Sequence, residues 1–230
     1  MKIKNKKLIY KFNSSEFNFY NLFQNFLDKE HKGLNNLHDF IDKAILPLEA
    51  ISVENDQAQD IYKVLYLIDS GYNISNSGSD IRGPFLSLFD EFVDYLAKEV
   101  FNEDLVYQSK PTLRVSFPES KAVGDWHRDR DYNHPIEEVN IWVPITRAFN
   151  SNAIWIESSF DKADYSPVDM DFGEVLVFDS GLKHGNVFNK EKQTRISFDF
   201  RVIPKSLYKD PIQSLLSYTQ GIELKLGDYY

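Results

Sequence analysis

The stretch "TRISFDFRVI", Thr194–Ile203, alternates polar and apolar side chains along its whole length. Alternate residues of a β-strand face opposite sides, so the stretch predicts a strand with one polar and one apolar face. The polar face carries Arg195, Ser197, Asp199 and Arg201, and the residues between them are all apolar. We expect the apolar face to pack outward against helices or a second sheet. The polar face then lines the interior of a barrel.

The sequence around this strand divides near residue 104. After it, six further segments have the period of two and the turn-forming boundaries of strands. They are 111–117, 122–129, 138–146, 152–158, 173–180 and 185–189. Short strands at this spacing, without helices between them, predict an antiparallel sandwich or barrel.

Before residue 104 the pattern is mostly helical. Phe85, Leu88, Phe92 and Leu96 form one apolar stripe at helical spacing. We therefore expect a mainly β protein with flanking helices, forming a single domain over residues 1–230. Residues 1–104 are the mostly helical N-terminal support, 105–204 the β core, and 205–230 a C-terminal closing helix.

Composition excludes some classes of function. The 230 residues include 35 acidic and 26 basic side chains, for a net charge of −9, which argues against a sequence-independent nucleic-acid binder. Cysteine is absent, which excludes disulfides and thiolate metal sites. No segment has the length of a signal-peptide core or of a membrane helix, so we expect a soluble, cytoplasmic protein that does not bind membranes. The sequence does not indicate an oligomeric state.

Candidate metal ligands lie in "WHRDRD", Trp126–Asp131. On a strand, His127 and Asp129 would point into the same pocket. His184, after a buried strand and a glycine turn, is the candidate third ligand. Two imidazoles and one carboxylate leave coordination positions open, which is typical of non-haem Fe(II) sites that must also bind a cosubstrate and oxygen.

Arg195 follows His184 by eleven residues and lies on the predicted interior face. A guanidinium inside a barrel is costly unless it is paired. A dicarboxylate is a suitable partner, because guanidinium binds carboxylate through two parallel hydrogen bonds. Ser197, on the same face, would add a hydrogen bond to that carboxylate.

The ordered set His127-x-Asp129, His184 and Arg195-x-Ser197 resembles the signature of the Fe(II)/2-oxoglutarate-dependent oxygenases, over residues 111 to 203. The resemblance implies a double-stranded β-helix, a jelly-roll, cupin-like core with N-terminal helices. At finer grain, "WHRDRDYNHPIEEVNIWVPIT" resembles the StrG-like, phytanoyl-CoA-hydroxylase-like bacterial subgroup, which is associated with streptomycin-type antibiotic clusters.

This resemblance implies a role for each residue of the set. His127, Asp129 and His184 would hold Fe(II), while Arg195 and Ser197 would bind the distal carboxylate of 2-oxoglutarate. The implied activity is O2-dependent hydroxylation of a polar small molecule, such as an amino acid, a sugar or a natural-product intermediate, with release of CO2 and succinate. Related halogenases have a small residue at the carboxylate position, so Asp129 favours hydroxylation. The alternatives are an inactive jelly-roll binding module and a cupin-type isomerase or epimerase.

Two neighbours of His127 are alternative ligands. Asp131 has the right parity for a strand, but the family spacing favours Asp129. His134 precedes Pro135 and is expected in an extended loop, on the substrate side or at the surface.

Other residues are candidates for contact with the cosubstrate or the substrate, and for some of them a purely structural role is the alternative. Asn140 binds 2-oxoglutarate or is a satisfied core amide. Arg201 binds a substrate anion or pairs with Asp199. The remaining candidates for the substrate side are Arg114, Tyr132, Trp142 and Glu157.

Overall fold

The computed structural model describes residues 3–27, 32–40, 82–109, 111–121, 125–209, 224, 226 and 229–230. Of the predicted closing helix, 205–230, only 205–209, 224, 226 and 229–230 are described, and none of these is helical. Within the described part of the chain, no helix combines the length and the apolar character that a membrane crossing needs.

The strands and helices are short apart from one of each. The strands are β1 Lys7–Lys11, β2 Leu105–Tyr107, β3 Thr112–Ser116, β4 Ser120–Lys121, β5 Val139–Pro144, β6 Trp155–Ile156, β7 Ser166–Pro167, β8 Glu174–Asp179, β9 His184–Gly185, β10 Phe188–Asn189 and β11 Arg195–Pro204. The helices are α1 Phe19–Leu27, α2 Leu37–Phe40 and α3 Arg82–Leu96, and a π-helical turn, Ala97–Phe101, continues α3. Single 3₁₀ turns occur at Leu34–Asn36, Asp129–Tyr132 and Asn150–Asn152.

The larger sheet has six antiparallel strands in the order β1, β8, β5, β11 and β2, with β3 also paired to β11. The long strand β11 is its centre. One edge of β11 pairs with β5, and the other edge pairs first with β3 and then with β2. The expectation of a β core confined to residues 105–204 was therefore wrong at one edge. Strand β1, from the part assigned to helices, pairs with Glu174 to Phe178 of β8.

The two faces of β11 divide as the alternation predicted. Phe198 lies edge-on to Phe19 of α1 and to Phe85 of α3, and Phe200 lies edge-on to Phe89 of α3. This helix-facing layer is a continuous apolar core that also takes in the outward residues of β5 and β8. The opposite face of the sheet encloses a second apolar cluster that includes Trp142, Leu176 and Phe178. The sheet thus has a dry, helix-covered side and a side that faces the jelly-roll interior.

The interior is closed by two smaller sheets. One has the order β7, β6, β9, and the other pairs β10 with β4. Segment 122–129 was predicted to be a strand, and that prediction was wrong for its described residues. His127 forms only an isolated bridge with His184, and a 3₁₀ turn begins at Asp129. Strand β9 is only two residues long, so the residues next to His127 have no further strand residues to pair with.

We expect Phe198→Ala to lower the free energy of unfolding by about 3–5 kcal/mol, because it leaves a cavity where two helices meet the sheet. Chemical denaturation measures this change. Ile136→Ala removes an exposed side chain and should change stability by less than about 0.5 kcal/mol. Equal losses in the two variants would contradict the assignment of this layer as the core.

Candidate active site

Three side chains with metal-binding groups meet in the jelly-roll interior. His127, Asp129 and His184 each offer one ligand atom, and these atoms lie within 4.8 Å of one another. The backbones of His127 and His184 exchange two hydrogen bonds, of 3.0 and 2.9 Å, which place the two imidazoles side by side. His127 and Asp129 do face the same pocket, although the chain between them is not a regular strand. Arg128 is extended, and the 3₁₀ turn then places the carboxylate.

In both imidazoles Nδ1 faces a backbone carbonyl. Nδ1 of His127 is 2.6 Å from the carbonyl of Asp125, and Nδ1 of His184 is 3.0 Å from the carbonyl of Leu182. A carbonyl accepts only, so each Nδ1 donates and Nε2 is left as the candidate ligand atom. Burial lowers the pKa of His184 to about 4, which keeps this imidazole neutral at pH 7, the state that a metal ion requires. Burial also opposes the charged form of His127, but its Nε2 lies 3.3 Å from Asp129 Oδ1, and this carboxylate raises the pKa of His127.

The carboxylate of Asp129 is almost fully buried and is held in its charged form. Burial alone would raise its pKa, but the Arg201 guanidinium and the His127 imidazole hold the pKa well below its usual range. Arg201 Nη2 is 3.4 Å from one carboxylate oxygen, and Asn140 donates its amide N–H to the other. The Asp129 carboxylate is therefore charged and fixed in orientation, and residues that hydrogen-bond to metal ligands commonly have this effect.

Arg195 is a buried cation that meets only neutral groups at hydrogen-bond distance. It is 1% exposed and donates to the Asn152 carbonyl, to Ser197 Oγ at 2.7 Å and to Asn186 Oδ1 at 3.0 Å. Among the described residues, no carboxylate forms an ion pair with it. Burial and the nearby Arg114 lower the pKa of Arg195 to about 9. A buried guanidinium in this state favours binding of an anion.

His127, His184 and Arg195, but not the buried Asp129, line one cavity with about 440 Å³ of empty space that opens to solvent. Its other polar lining is Arg114, Asn140, Asn186, Asp199 and Arg201, and its apolar lining includes Trp142, Ile154 and Phe178. Arg114 and Arg201 both pair with Asp199, so these three charges neutralise one another in part. The alternative interpretation of Arg201, an ion pair with Asp199, is therefore present in the structure, although Arg201 also lines the cavity.

Three predicted residues have other contacts. Glu157 does not line the cavity. It is fully buried and accepts backbone N–H groups of Lys183 and Ala163. Tyr132 lies edge-on to the His127 ring but is not part of the cavity lining. His134 is not at the surface, because its side chain is 9% exposed and its ring bonds Glu138.

Asn140 lines the cavity, and its amide oxygen is the atom without a partner. One of its two amide N–H groups donates to Asp129, and its buried Oδ1 has no hydrogen-bond partner among the described residues. A carboxylate carries no proton to donate to that oxygen. Oδ1 therefore offers an acceptor, which suits a hydroxyl or an ammonium group.

The cavity also uses residues that the sequence analysis missed. Asn186 bonds Arg195 and follows His184 by two residues, a spacing that would have indicated the same face. Gln108 is 3.4 Å from Arg201 and also accepts the hydroxyl of Tyr229. No local pattern links Gln108 to Tyr229, because they are distant in sequence.

The donor set fits a divalent first-row metal ion. Two imidazole nitrogens and one carboxylate oxygen suit Fe(II). The buried Arg195, with Ser197 beside it, fits one end of a dicarboxylate. The residues that are present therefore match both groups that the family resemblance implied.

Known proteins resemble this chain in fold and, over one segment, in sequence. No family model matches the chain. A segment of 129 residues is 46% identical to StrG, the streptomycin biosynthesis protein of Streptomyces griseus, and covers 55% of this chain and 60% of StrG. The chain thus matches less than two thirds of that relative, and the StrG-like resemblance is confirmed over the matched segment.

Among solved structures, EctD from S. alaskensis in its apo form has a TM-score of 0.50 at 13% identity, covering 88% of this chain and 74% of EctD. This likeness confirms the predicted jelly-roll fold. AviO1 from Streptomyces viridochromogenes also matches, with a TM-score of 0.46 at 16% identity, covering 91% of this chain and 94% of AviO1.

We expect His127→Ala, Asp129→Ala and His184→Ala each to abolish tight binding of one divalent ion, because each removes a ligand. Anaerobic titration with Fe(II) or Co(II) in a calorimeter measures the affinity for the ion. His38→Ala also removes an imidazole, one that bonds Thr194, and should keep the ion. His134→Ala should keep it as well, since that ring bonds Glu138. Loss of the ion in His134→Ala alone would show that the ligand set is wrong.

Proposed function

We propose that the chain is an Fe(II)- and 2-oxoglutarate-dependent dioxygenase that hydroxylates a polar small molecule and releases CO2 and succinate. The observation that carries the proposal is the buried Arg195, whose described hydrogen-bond partners are neutral and which shares one cavity with His127 and His184 of the triad. One cavity thus offers a metal site and an anion site together. A cosubstrate that is both a metal chelator and a carboxylate fits that pair.

The residues divide the work of binding. His127, Asp129 and His184 would hold the iron, and Arg195 with Ser197 would take the distal carboxylate of 2-oxoglutarate. When bound, iron and 2-oxoglutarate supply the oxidising chemistry, in which O2 is consumed and 2-oxoglutarate becomes succinate and CO2. Arg201 and Asn140 hold the Asp129 carboxylate in place while ligands exchange at the open positions. The apolar lining of Trp142, Ile154 and Phe178 limits water around the reacting groups.

The substrate side of the cavity supports a polar molecule that carries hydrogen-bond donors. Asn140 Oδ1 is a buried acceptor without a partner, and the neighbouring Asp199 and Asp129 are anionic. A hydroxyl or amino group of a sugar, an amino acid or a natural-product intermediate would satisfy that oxygen. The name of StrG, which assigns it to streptomycin biosynthesis, supports the same class of substrate.

Two other functions remain as alternatives, and one measurement separates them. The cupin-type isomerase needs a metal site but no anion site at Arg195. An inactive binding module would bind ligands without consuming oxygen. Incubation with Fe(II), 2-oxoglutarate, O2 and a panel of amino acids, sugars and aminocyclitols should yield succinate above the level of the His184→Ala variant. If no member of the panel yields succinate and one of them is isomerised in a metal-dependent way, the cupin-type isomerase is favoured.

We expect Arg195→Met to weaken 2-oxoglutarate binding by at least about 30-fold, because it removes one partner of a buried charge pair, a loss of about 2 kcal/mol or more. Arg195→Lys should restore only part of the affinity, since an ammonium lacks the planar fork. The charge-transfer absorption of the anaerobic Fe(II) complex, titrated with 2-oxoglutarate, measures this. Arg147→Met removes an exposed arginine and is the control. Unchanged 2-oxoglutarate affinity in Arg195→Met would place the cosubstrate elsewhere.

A further inference from the structure

Arg128 and Arg130 alternate with the two metal ligands of the same segment. His127 and Asp129 bring their ligand atoms next to that of His184, while the two arginines do not line the cavity and contact buried carboxylates. Arg128 pairs with Glu157, and Arg130 pairs with Asp179. We call these two pairs the arginine struts. The proposed reaction assigns them no part.

The first strut joins Arg130 to the turn that precedes His184. Asp179 is 4% exposed at its side chain, receives the Arg130 guanidinium, and accepts the backbone N–H of Gly181 at 2.7 Å. The guanidinium also packs directly over Gly181, where an added Cβ would lie 2.5 Å from Arg130 Nη1. Only glycine leaves room for this contact. One carboxylate thus connects the segment of Asp129 to the turn of His184.

The second strut has the same design on the other side of His184. Glu157 is fully buried, lies 3.5 Å from Arg128 Nη2, and accepts the backbone N–H of Lys183 at 2.7 Å. Arg128 also pairs with Asp161 and lies over the Phe160 ring, at 5.0 Å from its centroid. The carboxylate of Glu157 therefore connects the segment of His127 to the residue just before His184.

The backbone connection between these two segments is short. His127 and His184 share a single backbone bridge, and Asp129, which Arg201 and Asn140 hold by its carboxylate, lies on a short 3₁₀ turn with no strand ladder. Side-chain contacts on both sides of the bridge are therefore needed to fix the segment against the turn of His184. Each strut does this with a charge-assisted hydrogen bond between groups that are largely removed from water.

We propose that Arg128, Glu157, Arg130 and Asp179 are positioning residues that set the approach of His127 and Asp129 to His184 and thereby control retention of the metal ion. The proposal rests on the proposed function only in requiring that the triad binds a metal. Partners behind metal ligands typically change metal affinity by about 10- to 100-fold when removed. We expect changes of that size from the struts.

The decisive variant is the double substitution Arg130→Met/Asp179→Asn. Arg130→Met alone leaves a buried carboxylate without its cation and should lower the melting temperature. The double variant removes both charges, so its melting temperature should recover toward that of the wild type. Its Kd for Co(II), measured by calorimetry without oxygen or 2-oxoglutarate, should stay raised by about 10- to 100-fold. A purely structural strut would recover stability and metal affinity together.

The second strut and a surface control complete the design. Arg128→Met/Glu157→Gln should raise the Co(II) Kd in the same way, and it replaces the first pair if that double variant does not fold. Arg147→Met/Asp171→Asn removes an exposed ion pair and should leave the Kd unchanged. The single variants Arg128→Lys and Arg130→Lys keep the charge. Each should raise the Kd less than the single methionine variant at the same position does.

Two results would overturn the proposal. One is a folded double variant of either strut that binds Co(II) within about 3-fold of the wild type, which is well below the effect typical of such partners. The other is that the lysine variants lose as much affinity as the methionine variants. If wild-type protein binds Co(II) through His127 but forms no succinate, the proposed function fails while the struts stand. Metal binding and turnover therefore test separate statements.

Discussion

Charge buried inside a small β barrel has to be matched by nearby charge or hydrogen bonds, and this constraint organises the whole site. Asp129 is held by Arg201 and Asn140, and Asp199 is shared between Arg114 and Arg201. The carboxylates of the struts are matched in the same way. Arg195 differs from all of these, because its described partners are a carbonyl, a hydroxyl and an amide. Among the described residues of the site, Arg195 is thus the buried charge without an opposite charge in contact, and an anionic ligand would supply one.

Strand β11 links this electrostatic arrangement to the stability of the fold. Its apolar residues hold the two helices, and its polar residues carry the anion site and the partner of Asp129. Because the side-chain period of a strand is two, a register slip of one residue would exchange the two faces. The aromatic layer under α1 and α3 therefore has a second effect besides stabilising the fold. It fixes which side of β11 faces the cavity, and so it fixes Arg195 and Arg201 in the interior.

The sequence predicted the parts of the site that follow from alternation and spacing. The faces of β11 were predicted correctly, because the register of a buried strand determines them. Glu157 could not be placed, because its direction depends on the turn before His184, which offers it a backbone N–H. His134 was expected on the substrate side or at the surface, since a loop before proline does not reveal that Glu138 bonds the ring and that Tyr229 lies edge-on to it. The contact of Gln108 with Tyr229 joins distant parts of the chain, and only the folded structure brings them together.

The length of β11 adds a geometric argument for the class of cosubstrate. Arg195 and Arg201 are six residues apart, about 20 Å along an extended strand, and the triad lies at the Arg201 end. The Arg195 guanidinium is 5.7 Å from the centre of the Trp142 ring, and Trp142 pairs across the sheet with Asp199. The arginine therefore reaches back along the strand toward the triad. A ligand that satisfies both positions must bind metal at one end and carry a carboxylate at the other, because a molecule charged at one end only would leave either the ion or Arg195 without its partner.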